Sequence, residues 1–221
     1  MVSIIMLTHN APKYVKITME TLLKNTKNVD YELIVWDNAS ELKTRKLLSK
    51  YYDKGIINRL VFSKDNLLFA KGNNNGFKLS NPHSDYVLLL NSDIEIRNEK
   101  WLSNLIELCE KEKCGAVGYG VCENNPANRS DGFCILIKRD LYDKYFLDEN
   151  FEWWWAVTKL EAYILKEGYN IVAVKNYENM IYHFGGKSGG TVKSAKGMDV
   201  KMEEVASWFE GKEGKILDHI D

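Results

Sequence analysis

Three short runs in which almost every residue is apolar, rather than every second one, constrain this chain most: 2–7 (VSIIML), 31–36 (YELIVW) and 86–90 (YVLLL). A strand apolar on both faces must be covered on both faces, which happens in mostly parallel sheets packed between helices. Helical spacing follows the first two runs, with Tyr14, Ile17 and Leu22 after one and Leu42, Leu47 and Leu48 after the other. A third strand is expected over 56–62 and a helix over 69–80, so strands and helices alternate as in an open α/β sheet flanked by helices. Beyond residue 95 the pattern loosens into a helix over 99–112, strands over 114–121 and 133–137, a helix over 153–167 and a strand over 171–174. Residues 185–197 are rich in glycine, lysine and serine, a loop composition. Met202, Val205, Ala206 and Phe209 then form one helical stripe, which predicts a helical tail over 198–221 packed on the same body.

Composition removes several classes of function. With 30 Lys+Arg against 31 Asp+Glu over 221 residues, the chain has no surplus positive charge for non-specific phosphate-backbone binding, so nucleic acid is not an expected partner. Four cysteines without C-x-x-C spacing predict reduced core thiols rather than a disulfide scaffold or a zinc site. The opening MVSIIML has no basic segment and its apolar run stops at Thr8-His9-Asn10, too short for a leader or a membrane span. A cytoplasmic protein is expected, at most peripheral to a membrane.

In open α/β sheets ligands gather at the carboxyl ends of the strands. Here those ends are polar: Thr8-His9-Asn10, Asp37-Asn38, Lys64-Asp65-Asn66 and Asn91-Ser92-Asp93. Each has a structural alternative, since Asp37 and Asn38 can cap a helix, Asn66 can sit in a turn and Asp93 can end a strand. No G-x-G-x-x-G follows the first strand and no P-loop lysine motif occurs, which disfavours dinucleotide and triphosphate sites. Carboxylates and amides instead suit a nucleobase, a ribose and a hard divalent cation, the parts a nucleotide-sugar pocket needs.

In sequence order, Ser3 to Asn10 (SIIMLTHN), Leu33 to Ser40 (LIVWDNAS), Asn66 to Phe77 (NLLFAKGNNNGF), Leu88 to Asp93 (LLLNSD) and Tyr182 to Ser188 (YHFGGKS) form a series. That series resembles a family 2 glycosyltransferase of GT-A fold, in its rhamnosyltransferase-like branch, over roughly residues 1–190. Leu68 and Lys71 depart from it, standing where glycine is usual. The resemblance implies a GT-A domain over 1–197, with a nucleotide-binding half at 1–95 and an acceptor-side half at 96–197. It implies that Asp37 holds the base, that Thr8 and Asn10 line the nucleoside, and that Asn66 and Asn74 meet the ribose or donor sugar. Asn91 and Ser92 would contact the donor, and Asp93 with His183 would hold Mn²⁺ or Mg²⁺. Lys187, Lys193 and Lys196 could close over the diphosphate as a lid, or simply belong to a linker.

The resemblance further implies acidic residues just before the helix that precedes Gly168-Tyr169, but those positions hold Val157 and Lys159. The nearest carboxylates that could serve as the base are Glu161, one helical turn beyond Val157, and Glu152, ahead of Trp153, Trp154 and Trp155. The tryptophans border the expected acceptor side, where aromatic faces stack on sugars; core packing is the competing role for one or two of them. The implied activity is metal-dependent, inverting hexosyl or deoxyhexosyl transfer from a nucleotide-diphosphate sugar to a hydroxyl of a glycan or lipid-linked saccharide acceptor. A degenerate domain that binds nucleotide sugar or glycan without turnover is the alternative. A nucleotidyltransferase is disfavoured by the missing glycine-rich basic loop after the first strand.

Overall fold

The computed structural model describes residues 1–187 and 194–220. Its first half alternates as the apolar runs require: β1 (Val2–Thr8), α1 (Pro12–Asn25), β2 (Tyr31–Asp37), α2 (Leu42–Asp53), β3 (Arg59–Phe62), α3 (Leu68–Phe77) and β4 (Tyr86–Asn91). The second half runs through β5 (Ile94–Ile96), α4 (Trp101–Lys111), β6 (Cys114–Tyr119), β7 (Val121–Cys122), β8 (Arg129–Ser130), β9 (Cys134–Lys138) and α5 (Arg139–Tyr145). It ends with α6 (Trp155–Lys166), β10 (Asn170–Val174), β11 (Ile181–His183), α7 (Met202–Phe209) and β12 (Lys215–Leu217).

Eight strands form one sheet in the order β12-β10-β6-β9-β4-β1-β2-β3, parallel throughout except for β9, which runs antiparallel to both β4 and β6. Alternate residues of the central strands face opposite layers. Ile4, Met6, Leu88 and Leu90 pack with Val15, Met19 and Leu22 of α1, Leu48 of α2 and Trp101 and Leu105 of α4. Ile5, Val87 and Leu89 pack on the other side with Phe77 of α3, Tyr142 of α5 and Leu160 and Ile164 of α6. Burial on both faces explains why these strands lack a polar alternation.

Close backbone approach is required at two glycines. A Cβ at Gly72 would stand 2.5 Å from Leu7 Cδ1, so glycine lets α3 lie directly on β1. At Gly118 it would stand 2.0 Å from Ser130 Oγ and 2.9 Å from the Cys134 carbonyl, so β6 tolerates β8 and β9 only without a side chain there.

Several expectations need correction. The third strand begins only at Arg59, because Gly55 turns the chain at φ 71° and Asn58 Oδ1 accepts the Leu33 N–H at 2.8 Å. The tail is not purely helical: β12 extends the sheet by pairing in parallel with β10. Its helix docks through Val205, Phe209 and Trp208, while Met202 and Ala206 of the expected stripe face solvent. The four thiols are free; Cys109, Cys114 and Cys134 are buried as expected, whereas Cys122 is only half-buried.

Candidate active site

The sheet register sets one level across three strand ends, pairing Thr8 with Asp37 and Leu7 with Asn91. Asp37 is completely buried there. Its Oδ1 accepts the Thr8 hydroxyl at 2.9 Å, its Oδ2 accepts the Ser40 N–H at 3.1 Å, and Arg45 Nε lies at 3.4 Å. Thr8 is equally buried, and Asn10, at φ 54°, ties the two strand-to-helix turns together. Its N–H reaches Ser40 Oγ at 2.6 Å and its Oδ1 accepts the Glu41 N–H at 2.8 Å. Asn38 fastens the start of α3, donating to the Leu68 carbonyl and accepting from the Leu67 N–H. Leu68 occupies the expected glycine position in the left-handed region, at φ 58°, a conformation costly for any residue with a Cβ.

At the end of β4 the chain bends through Ser92 and Asp93 into β5. The bend is held from α1 by the buried Thr18 hydroxyl, which bridges the Ser92 and Ile94 carbonyls and the Ile94 N–H. β5 pairs antiparallel with β11, setting His183 opposite Ile94, and so delivers a residue from the far end of the sequence to Asp93. His183 Nε2 lies 3.3 Å from Asp93 Oδ1, and Asp93 Oδ2 accepts the Lys187 N–H at 3.0 Å. Burial pushes the Asp93 carboxyl up, but the His183 ring and the Lys187 N–H outweigh it and hold it below the usual carboxylate range. Both Asp93 Oδ1 and His183 Nε2 are buried without a hydrogen-bond partner, as is Ser92 Oγ. A carboxylate oxygen and an imidazole nitrogen left facing each other fit a hard divalent ion that draws its remaining ligands from diphosphate oxygens and water. Among the described residues no group of three or more His, Cys, Asp or Glu side chains is arranged to enclose a metal alone.

Beside this pair opens a cavity of about 460 Å³, walled by Asn91, His183 and Gly186 on one side and by Phe69, Trp153, Trp154 and Val157 on the other. Its floor is Asp131-Gly132-Phe133, with the Phe133 ring stacked on His183 at 4.3 Å. Asp131 was not singled out by the sequence; it stands in the turn between β8 and β9. Gly132 packs against Val157, where a Cβ would meet Val157 Cγ2 at 2.9 Å. The carboxylate absent at Val157 is therefore matched by one on the neighbouring turn. Asp131 is exposed at the cavity, and the protein packed around it shifts its carboxyl upward from its ordinary value, against the pull of His183 and Arg129.

Other expected site residues lie elsewhere. Asn74 faces the core: its amide donates to the Leu147 carbonyl and Glu149, and its oxygen accepts from Tyr142 Oη and the Leu147 N–H. Asn66 is exposed and closes a turn on the Leu68 N–H. Glu161 is fully buried beneath the cavity floor, holding the Ser130 N–H at 2.9 Å, and burial pushes its carboxyl up to about 8. Glu152 is tied by Oε2 to the Lys196 N–H at 2.7 Å, and its carbonyl accepts the Phe69 and Ala70 N–H groups at the start of α3. Lys196 donates its ammonium to the exposed Asn150 Oδ1 at 2.6 Å; Lys193 lies outside the described residues. Trp155 packs against the core, leaving Trp153 and Trp154 to the cavity.

Residues 3–171 match the family described as Glycosyl transferase family 2. The chain belongs to that family. Its fold is shared with S. aureus TarS 1-349 in complex with UDP, at a TM-score of 0.60 and 18% identity over 74% of this chain and 55% of that one. It is also shared with the mannosyltransferase PcManGT from Pyrobaculum calidifontis in complex with GDP-Man and Mn²⁺, at a TM-score of 0.60 and 15% identity over 74% and 52%. This family 2 chain thus spans about half the length of those relatives. A curated relative, the uncharacterized protein y4gI of Sinorhizobium fredii (strain NBRC 101917 / NGR234), is 29% identical over 119 residues, 53% of this chain and 13% of that protein. The family assignment and the mostly parallel sheet confirm the expected GT-A class.

Proposed function

We propose that this chain carries out metal-dependent, inverting transfer of a sugar from a nucleotide-diphosphate donor to a hydroxyl of a glycan or lipid-linked acceptor, with Asp131 as the base. The observation that carries the reading is the unpartnered Asp93–His183 pair, at 3.3 Å, on the lip of the cavity that contains Asp131. Related structures hold UDP, UDP-GlcNAc and GDP-Man, which supports a nucleotide-sugar donor of this kind. Asp93 and His183 would hold the cation, which when bound neutralises the departing diphosphate.

Asn91 lines the wall next to that pair. Thr8 and Asp37 form the buried anchor beneath the strand ends rather than cavity lining, so in this reading they shape the nucleoside edge. Trp153 and Trp154 offer flat apolar faces to acceptor sugar rings. Asp131 takes the proton of the acceptor hydroxyl as its oxygen bonds to the anomeric carbon and the bond from that carbon to the diphosphate oxygen breaks. Its raised affinity for protons makes it a better base than a fully solvated carboxylate. Glu161 and Glu152 are left as supports, one under the β8–β9 turn and one at the start of α3.

The test is transfer or donor hydrolysis from UDP- and GDP-sugars, with and without Mn²⁺, for the wild type, Asp93→Ala and Asp131→Asn. Asp93→Ala should abolish the metal-dependent part of donor binding. Asp131→Asn should keep donor affinity and lower kcat by about 10²–10⁴-fold. Donor binding with no turnover in the wild type would favour the degenerate binding domain instead.

A further inference from the structure

The other face of the sheet carries a feature that sugar transfer does not use. α1 and α2 lie side by side, and between them runs a groove of about 530 Å³ whose rim is lysine: Lys13 and Lys16 from one helix, Lys43, Lys46 and Lys50 from the other. The floor is apolar, built from Pro12, Tyr14 and Leu47. The two helices carry seven basic residues against two acidic ones, in a chain whose net charge is -1. Among the described residues Lys43, Lys46 and Lys50 make no ion pair, and Lys16 meets only the exposed Glu20, at 3.6 Å. Leu42, the first residue of α2 and the chain neighbour of Lys43, stands 65% exposed. Clustered ammonium groups around an apolar slot complement a surface that is both anionic and apolar.

We propose that this groove docks the chain on an anionic lipid bilayer, with phospholipid headgroups between the lysines and Leu42 inserted at the level of the acyl chains. A soluble polyanion would satisfy the lysines but not Leu42 or the apolar floor, whereas a bilayer surface supplies both. The helices follow β1 and β2, and their first turns are tied together by Asn10, Ser40 and Glu41 at the strand ends. The docked face therefore adjoins the catalytic edge, which would suit an acceptor carried by lipid. The proposal concerns binding alone and stands whether or not the transferase reading holds.

The experiment is co-sedimentation of the full chain with vesicles. Vesicles of pure phosphatidylcholine are compared with vesicles containing roughly one-third phosphatidylglycerol, where each lysine near the surface contributes about fivefold to partitioning. The protein should pellet only with the anionic vesicles, and should be released at roughly 1 M salt, where the screening length falls to about 3 Å. The triple substitution Lys43→Gln, Lys46→Gln, Lys50→Gln should weaken partitioning by about 100-fold. Leu42→Ser should weaken it severalfold without changing charge. All four side chains are exposed, and unchanged melting temperatures would verify that the variants fold. Equal pelleting with neutral vesicles, or undiminished binding by the triple variant, would overturn the proposal. So would binding to a single-stranded RNA oligomer as tight as to vesicles and indifferent to Leu42→Ser.

Discussion

Replacing Glu161 by glutamine distinguishes a buried support from a catalyst. The carboxyl has no exposed surface; Oε1 accepts the Ser130 N–H at 2.9 Å and Oε2 has no partner. Burial raises its pKa from 4.5 to about 8, against the opposing pull of the Arg129 charge and the Ser130 N–H and with a further push from Asp131. Between those two values the unfolded chain has released the proton and the folded chain still holds it, so folding stability falls as pH rises. The slope is about 1.4 kcal/mol per pH unit, which accumulates to about 5 kcal/mol by the time the folded carboxyl ionises. Glutamine keeps an acceptor for Ser130 and has no proton to lose. Glu161→Gln should therefore match the wild type near about pH 4.5 and exceed it by up to about 5 kcal/mol near about pH 9, read by urea unfolding across that range. Parallel pH profiles would refute the reasoning, because they would mean that Arg129 already pairs with an ionised Glu161. Transfer should stay within about threefold of wild type, whereas loss of a general base costs about 10²–10⁴-fold.

Asn74→Ala leaves the Tyr142 hydroxyl and the Leu147 N–H without their buried acceptor and should cost about 2–4 kcal/mol in chemical denaturation. The donor KM should not move; a large rise at unchanged stability would mean that Asn74 reaches the ligand. Gly118→Ala forces a methyl against the Cys134 carbonyl, 2.9 Å from the new Cβ, and should destabilise by about 1–3 kcal/mol or more. A neutral result would show that β6 can move away from β9. Trp154→Ala, at a side chain 48% exposed, should change stability by less than about 0.5 kcal/mol yet raise the acceptor KM roughly threefold to tenfold. An acceptor KM that stays put would remove Trp154 from the acceptor side.

The sequence disclosed what long apolar runs disclose. β1, β2 and β4 are buried on both faces, so their composition alone requires a covered parallel sheet. β5, β8, β11 and β12 are two or three residues long and carry no measurable periodicity, so the bend at Asp93 and the strand at the sheet edge were invisible. For Glu161 the helical spacing was right about the face shared with Val157, but Val157 walls the cavity while Glu161, one turn further along, is fully buried beneath it. Asn74 illustrates the same limit, because a helical asparagine suits a sugar hydroxyl and a buried loop carbonyl equally well. Asp131 went unseen for a different reason. It enters the cavity from a turn between two short strands, and only the packing of Gly132 on Val157 reveals that a carboxylate has changed its place in the chain. Asp93 and His183 became legible through the motif series, not through spacing, since 90 residues of sequence separate them.

The pairing of β5 with β11 has a consequence for how the molecule comes into being. The strap that brings residues 94–96 to 181–183 closes a loop running through most of the second half of the polypeptide. Closure over so long a stretch carries an entropic cost that is met only once both strands are present. A nascent first half can stack its own strands and helices, yet Asp93 then lacks both His183 and the Lys187 amide. Competence to grip a charged ligand therefore arrives as a property of the finished chain, never of the segment emerging first.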